Sequence, residues 1–290
     1  METKQQTAKL SAAALTTVFL WASAFPMVRY LLDYYSAQSL MLLRFLVASL
    51  TLLIVVFIKK TKFPYKKDIP MFALAGFLGI FLYMWLFNVG IGTVPSGVSS
   101  FIISSAPVYT TLLSVFILKE RVNRFCWIGI FLSLCGLGVI TISQMQGFVM
   151  NTGVLLLIGA GISTSLYFII QRKLMKKYTP LEATAYPIFF GTLFMLIFLP
   201  GLINDMPNAP TAANLLTIYL GIFPAAVAYL SWGYALSKAK NTANATMFLY
   251  LTPFVATLLA FIWLNETLSS FALIGGVVII SGMIISNRWG

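Results

Sequence analysis

Two stretches of the chain, APVYTTLLSVFILKE at residues 106–120 and TPFVATLLAFIWLNE at residues 252–266, read as one helix written twice. An offset of 146 residues lays Pro107 on Pro253, Thr111-Leu112-Leu113 on Thr257-Leu258-Leu259, Leu118 on Leu264 and Glu120 on Glu266. The same offset carries Tyr83 to Tyr229, Phe125 to Phe271, Ile128-Gly129 to Ile274-Gly275 and Gly136 to Gly282. Leucine pairs arise by chance in a leucine-rich chain; proline, glycine and glutamate coinciding together do not. Upstream, an offset of 143 pairs Arg29 with Arg172, Leu31 with Leu174 and Tyr35 with Tyr178, and the change of three fits an insertion in a loop. The sequence therefore divides into two repeats, residues 1–147 and 148–290.

What surrounds these stretches decides their solvent. With 60% hydrophobic and only 9% charged residues, the chain cannot clothe a soluble surface. Crossing ~30 Å of hydrocarbon at about 1.5 Å per residue takes about 20 apolar residues. Ten such runs are predicted, at residues 11–31, 38–58, 69–91, 96–118, 125–143, 153–171, 181–199, 212–237, 242–264 and 270–286. The expected fold is an all-α integral membrane protein of ten transmembrane helices. Lys4 and Lys9 followed by an apolar stretch and Ala22-Ser23-Ala24 imitate a cleaved signal peptide. A retained first helix is preferred, because cleavage there leaves nine spans and destroys the duplication.

Charge sets the orientation. With the loop holding Lys59, Lys60, Lys62, Lys66 and Lys67 in the cytoplasm, only Arg29 and Arg44 of the 19 cations fall toward the outside, a strong positive-inside asymmetry. Both termini are then cytoplasmic, in a bacterial-type inner membrane. Five spans per copy is an odd number, so the second copy enters from the opposite side and the repeats are inverted. Inverted repeats can exchange conformations to open alternately to either side, which argues for transport.

Several function classes fall away. The net charge of +12 lies in short clusters between apolar runs, which disfavours nucleic acid as a partner. Cys126 and Cys135 share one span, roughly 13 Å apart along a helix and too far for a disulfide. The chain has no histidine and its acidic residues lie near predicted helix ends, so no metal or other cofactor is expected. An enzyme would lack its usual equipment; a channel would be expected to carry a pore helix or charged ring.

The sequence resembles the EamA family of the drug/metabolite transporter superfamily. The likeness covers nearly the whole chain. It is carried by Trp21-Ala-Ser-Ala-Phe-Pro, Leu43-Arg44-Phe45, Pro107 and Leu118-Lys-Glu120-Arg121 with Gly129 and Gly136, and echoed by Pro253, Leu264-Asn-Glu266, Gly275-Gly276 and Gly282. The resemblance implies a central cavity lined by spans 1, 3, 4, 6, 8 and 9, with spans 2, 5, 7 and 10 outside it. Characterised relatives include exporters of amino acids and related metabolites.

Polar residues on those spans give the candidate substrate site. Ser96, Ser100, Ser104, Pro107 and Thr111 lie along one face of span 4, and Thr242, Thr246, Tyr250, Pro253 and Thr257 repeat the pattern on span 9. Small hydroxyl residues also serve close helix contact, and the sequence leaves that alternative open. Trp21 and Phe25 on span 1, Tyr83, Phe87 and Asn88 on span 3, Ser163, Tyr167 and Gln171 on span 6, and Tyr229 and Trp232 on span 8 complete an aromatic, hydrogen-bonding, nearly uncharged cavity. Pro107 and Pro253 each permit a mid-helix kink and are candidate hinges. Snorkelling accounts for Arg44, and Glu120 and Glu266 read as structural end groups. Gly129, Ser133 and Gly136, with Gly275 and Gly282, offer smooth faces for a neighbouring helix or a dimer, so a monomer and a homodimer both remain open.

The expected activity is carrier-mediated export of a small amino-acid-like or zwitterionic metabolite. A carrier of phosphorylated or nucleotide-linked compounds or drugs is the alternative within the same fold. No carboxylate is expected at membrane depth, which favours facilitated diffusion or exchange over proton coupling.

Overall fold

The computed structural model describes residues 2–91, 102–142, 152–264 and 270–289. Ser96, Ser100 and Glu266, with the side chains of Phe25, Arg29 and Thr257, lie outside the described residues. The regular structure described is helical, as lipid demands of a chain that must satisfy its own backbone. Helices fall on every predicted span: α1 (Glu2–Leu31), α2 (Ala37–Ile58), α3 (Lys66–Gly90), α4 (Ile102–Leu118), α5 (Arg124–Ile142), α6 (Thr152–Leu174), α7 (Glu182–Asn208), α8 (Thr211–Lys238), α9 (residues 242–264) and α10 (Ser270–Trp289). Five of them, α2, α3, α6, α7 and α8, are long and apolar enough to cross a membrane by length and composition.

Short polar segments end and restart these helices. Ser36 caps α2 by accepting the Ser39 N–H, and Asn241 caps α9 by accepting that of Asn244 at 2.8 Å. Thr179 and Glu182 form a reciprocal capping box ahead of α7. α7 runs past its expected end at Leu199 to Asn208, because Pro200 starts a fresh helical segment after a 3-10 turn.

Helix neighbours map onto themselves when each helix is exchanged for the one five places along. α1 lies against α8 and α9, as α6 lies against α3 and α4; α2 meets α8 as α7 meets α3. The pairs α2–α7, α4–α9 and α5–α10 map onto themselves. The α5–α10 contact answers the glycine question within one chain: a Cβ on Gly129 would stand 2.5 Å from the Gly282 carbonyl oxygen, and one on Gly136 2.6 Å from that of Gly275. These backbones touch, so any side chain there would force the helices apart.

Three π-helical segments were not anticipated. One closes α4 at Ser114–Leu118; the other two occupy Phe77–Leu82 in α3 and Gly221–Val227 in α8, immediately before Tyr83 and close before Tyr229. Leu78 and Pro224, equivalent at the 146-residue offset, use their carbonyls alike: Ser163 of α6 donates to Leu78 O at 2.7 Å, and Trp21 Nε1 of α1 donates to Pro224 O at 3.0 Å. Wide π turns thus fix the first helix of each half against the third helix of the other.

Candidate functional site

The centre of the bundle is a continuous cluster of aromatic rings. Trp21 meets Tyr229 edge-on at 5.3 Å between centroids and Trp232 at 6.0 Å. Phe168 lies 4.6 Å from Trp232, Tyr167 6.5 Å from Tyr229, and Phe45 of α2 meets Tyr229 edge-on at 6.1 Å. Offset and edge-to-face pairs of this kind contribute about 0.5–1.5 kcal/mol each beyond area burial. Tyr83 stacks on Phe87 at 6.0 Å and lies near Tyr229. Trp21, Tyr83, Tyr167, Tyr229 and Trp232, scattered over four helices, are therefore brought together in this cluster.

Polar atoms in this cluster lack partners among the described residues. The Tyr167 hydroxyl and the Trp232 indole N–H are buried and make no hydrogen bond to them. Leaving such a group unsatisfied costs about 1–3 kcal/mol, so each is a place where a ligand could gain affinity. The Trp21 indole is different, being committed to Pro224.

Arg44 departs from the sequence expectation. It does not snorkel. Only 8% of its surface is exposed; its guanidinium lies 5.8 Å from the Phe45 ring and near Tyr83 and Tyr229. α2 is therefore not wholly peripheral, since one face packs against the π segment of α8 and brings Arg44 and Phe45 inward. The expected nearly uncharged site contains a cation. Arg44, Phe45 and Phe168 are not among the site residues the sequence points to; Leu43-Arg44-Phe45 enters there as part of the family resemblance and Arg44 as a snorkelling cation.

The remaining candidates are engaged elsewhere. Asn88 donates to the Ala37 carbonyl at 3.3 Å and approaches Met41 Sδ at 3.7 Å, tying α3 to the start of α2. Thr246 bonds the Thr242 and Ala243 carbonyls of its own helix. Ser104 is half-buried in the first turn of α4. Tyr250 is fully buried in a second apolar cluster with Ala14, Val18, Cys126 and Met247, its hydroxyl unpartnered. Gln171 Nε2 donates to Thr184 at 3.0 Å while its Oε1 is unpartnered.

Both candidate hinges mark helix interruptions. α4 breaks at Ser105 and resumes at Ala106, with Pro107 in the first turn of the new segment. α9 tightens into a 3-10 turn over Met247–Tyr250 and returns to α-helix at Leu251, two residues before Pro253. The missing proline N–H explains why the ladder is cut at equivalent places.

On the lysine-rich face, Glu120 at the end of α4 accepts both the Thr242 N–H at 2.8 Å and the Thr242 hydroxyl at 2.9 Å. Arg172 of α6 pairs with Glu120 at 3.7 Å and donates to the carbonyls of Leu236 in the last turn of α8 and Ala239 just after it. Glu120 thus serves as the structural end group expected of it, joining four helix ends. On the opposite face Asp205 accepts the Ser36 N–H at 3.0 Å and its hydroxyl at 2.8 Å.

Comparison with known proteins agrees with this architecture. The EamA-like transporter family matches the chain twice, over residues 9–142 and 151–288. The uncharacterized transporter YdfC of Bacillus subtilis is 35% identical over 280 residues, covering 97% of this chain and 91% of the relative. A protein of Streptantibioticus cattleyicolor named "Probable terminal-alkyne amino-acid exporter" is 37% identical over 276 residues, covering 95% and 92%. A crystal structure with TM-score 0.80, 17% identical and matched over 97% of both chains, shares the fold.

Proposed function

The chain belongs to the EamA-like transporter family, a multi-pass membrane protein, and from that premise we propose that it exports amino acids or similarly sized zwitterionic metabolites by alternating access. The observation that carries this reading is the central ring cluster, in which Tyr167 and Trp232 keep buried donors without partners among the described residues. A carrier must bind its cargo weakly and release it, so a site whose polar groups are satisfied only by cargo suits the task. The amino-acid exporter named among the relatives supports the substrate class.

Alternating access is supported by the neighbour pattern that maps onto itself between the two halves and by the equivalent π segments. The two matched segments are proposed as the inverted repeats, with the lysine-rich face in the cytoplasm of a bacterial cell. The described carboxylates Asp33, Asp68, Glu120, Glu182 and Asp205 stand at helix ends or in turns. Facilitated diffusion or exchange therefore fits better than proton coupling.

The test is counterflow of a labelled amino-acid panel into proteoliposomes. Saturable counterflow that is lost in a monodisperse Tyr83→Ala, Tyr229→Ala double mutant supports the reading. Absence of counterflow for every panel member would overturn the substrate class, and accumulation driven by an imposed pH gradient would overturn the uncoupled mechanism.

A further inference from the structure

Burying a guanidinium in a lipid-embedded bundle is costly unless something compensates its charge. Beyond the Phe45 ring, Arg44 has no charged partner among the described residues. It forms no ion pair, its Nε is buried without a hydrogen-bond partner, and the two described ion pairs, Arg172–Glu120 and Lys177–Asp68, engage other cations. The described acidic residues stand at helix ends, away from the middle of α2. Its surroundings are instead the Phe45 ring, 5.8 Å away, and the tyrosines Tyr83 and Tyr229.

We propose that Arg44 is the carboxylate-binding residue of the transport site, pairing with the carboxylate of the substrate while Tyr83 and Tyr229 flank the pair. This rests on the amino-acid export reading above and names the part of the substrate that is recognised. A guanidinium offers a planar fork matched to a carboxylate, and a charge-assisted pair in a dry site is stronger than a neutral hydrogen bond. Phe45 ties the fork to the cluster, since its ring lies beneath the guanidinium and edge-on to Tyr229. The orphaned Tyr167 hydroxyl and Trp232 N–H belong to the same ring cluster as Tyr229, leaving polar partners for the rest of the substrate. A phosphate would call for several cations; one guanidinium fits a monoanionic carboxylate better.

The decisive experiment needs no mutant. For wild-type protein in liposomes, competition by an amino acid known from the panel to be transported is compared with competition by its carboxamide, which keeps the side chain and amine but loses the negative charge. The carboxamide should compete at least about ten-fold more weakly, the loss expected when a charged hydrogen bond is removed. Arg44→Gln should raise the half-saturating concentration of the amino acid by a similar factor and abolish the preference over the carboxamide, and Arg44→Lys should restore part of it. Equal competition by acid and carboxamide in the wild type overturns this assignment while leaving amino-acid export standing. Wild-type protein that transports no amino acid at all overturns the export reading and the assignment with it. A folded Arg44→Gln protein that retains the wild-type preference also overturns the assignment.

Discussion

Glu120 and Thr242 lie at opposite ends of equivalent helices and meet through two hydrogen bonds to one carboxylate, the N–H at 2.8 Å and the hydroxyl at 2.9 Å. With Arg172 joining from α6 and reaching the carbonyls after α8, the contact ties four helix ends on the lysine-rich face. Such a clasp must release for that face to open. Glu120→Ala should therefore speed labelling of a Thr246→Cys reporter by a membrane-impermeant thiol reagent, in a Cys126→Ser, Cys135→Ser background. Losing charge-assisted bonds worth about 1.5–3 kcal/mol predicts an acceleration of about ten-fold or more; an unchanged rate would remove the clasp from the gating cycle.

Tyr167 offers a test of whether unpartnered atoms mark the site. Its ring is fully buried and its hydroxyl has no partner. Tyr167→Phe deletes only that oxygen, so the ligand-free protein should melt higher, by an amount reflecting about 1 kcal/mol, while counterflow declines. A lower melting temperature with normal counterflow would mean that the hydroxyl is satisfied and unused.

The α5–α10 interface predicts opposite outcomes for two glycines only two residues apart, which places them on opposite faces of α5. A Cβ on Gly136 would meet the Gly275 carbonyl at 2.6 Å, whereas one on Gly138 meets nothing within 4 Å. Gly136→Ala should lower stability by about 1–3 kcal/mol through forced separation, and Gly138→Ala should leave it unchanged or raise it by helix propensity. Thermal melting of the two purified variants reads the difference directly.

If the interruptions at Pro107 and Pro253 are hinges, restoring the missing hydrogen bond should stiffen α4 and α9. Pro107→Ala and Pro253→Ala are each expected to slow exchange at saturating substrate while half-saturation changes little. Unchanged transport in either variant would reduce that proline to a packing residue.

Lys177 and Tyr178 both donate to Asp68, clasping the start of α3 to the turn after α6. The Lys177 bond, then that of Tyr178, holds the Asp68 carboxyl below its usual range, and Asp68 in turn raises the Lys177 ammonium. A lowered carboxyl stabilises above its unfolded value and loses that contribution as pH falls; a raised ammonium stabilises below its unfolded value and loses it as pH rises. Between about pH 5 and about pH 9 neither changes charge. The melting difference between wild type and Asp68→Asn should therefore stay constant across that window; a difference that varied with pH within it would contradict the pairing.

Much of this molecule is legible along the chain. Tyr83 with Tyr229 and Trp21 with Trp232 stood out because a phenol or indole in an apolar run needs a polar explanation. Phe45 and Phe168 did not, since a phenylalanine in such a run carries no signal of its own. Nor does Asn88 announce that the Ala37 carbonyl will take its amide.

What the sequence settled by itself was membrane residence and the family, because lipid imposes a length and a hydropathy on each crossing and a family leaves its identities at fixed spacings. Which way each helix faces was decided only by tertiary structure. Arg44 reads as a snorkelling cation on an outer helix until the π segment of α8 is seen to pack against α2 and bring it beside Tyr229. Hydropathy is a property of a single helix in lipid, whereas the inward orientation of a guanidinium depends on the rotation of that helix against its neighbours, and rotation is fixed by contacts between residues far apart in the chain.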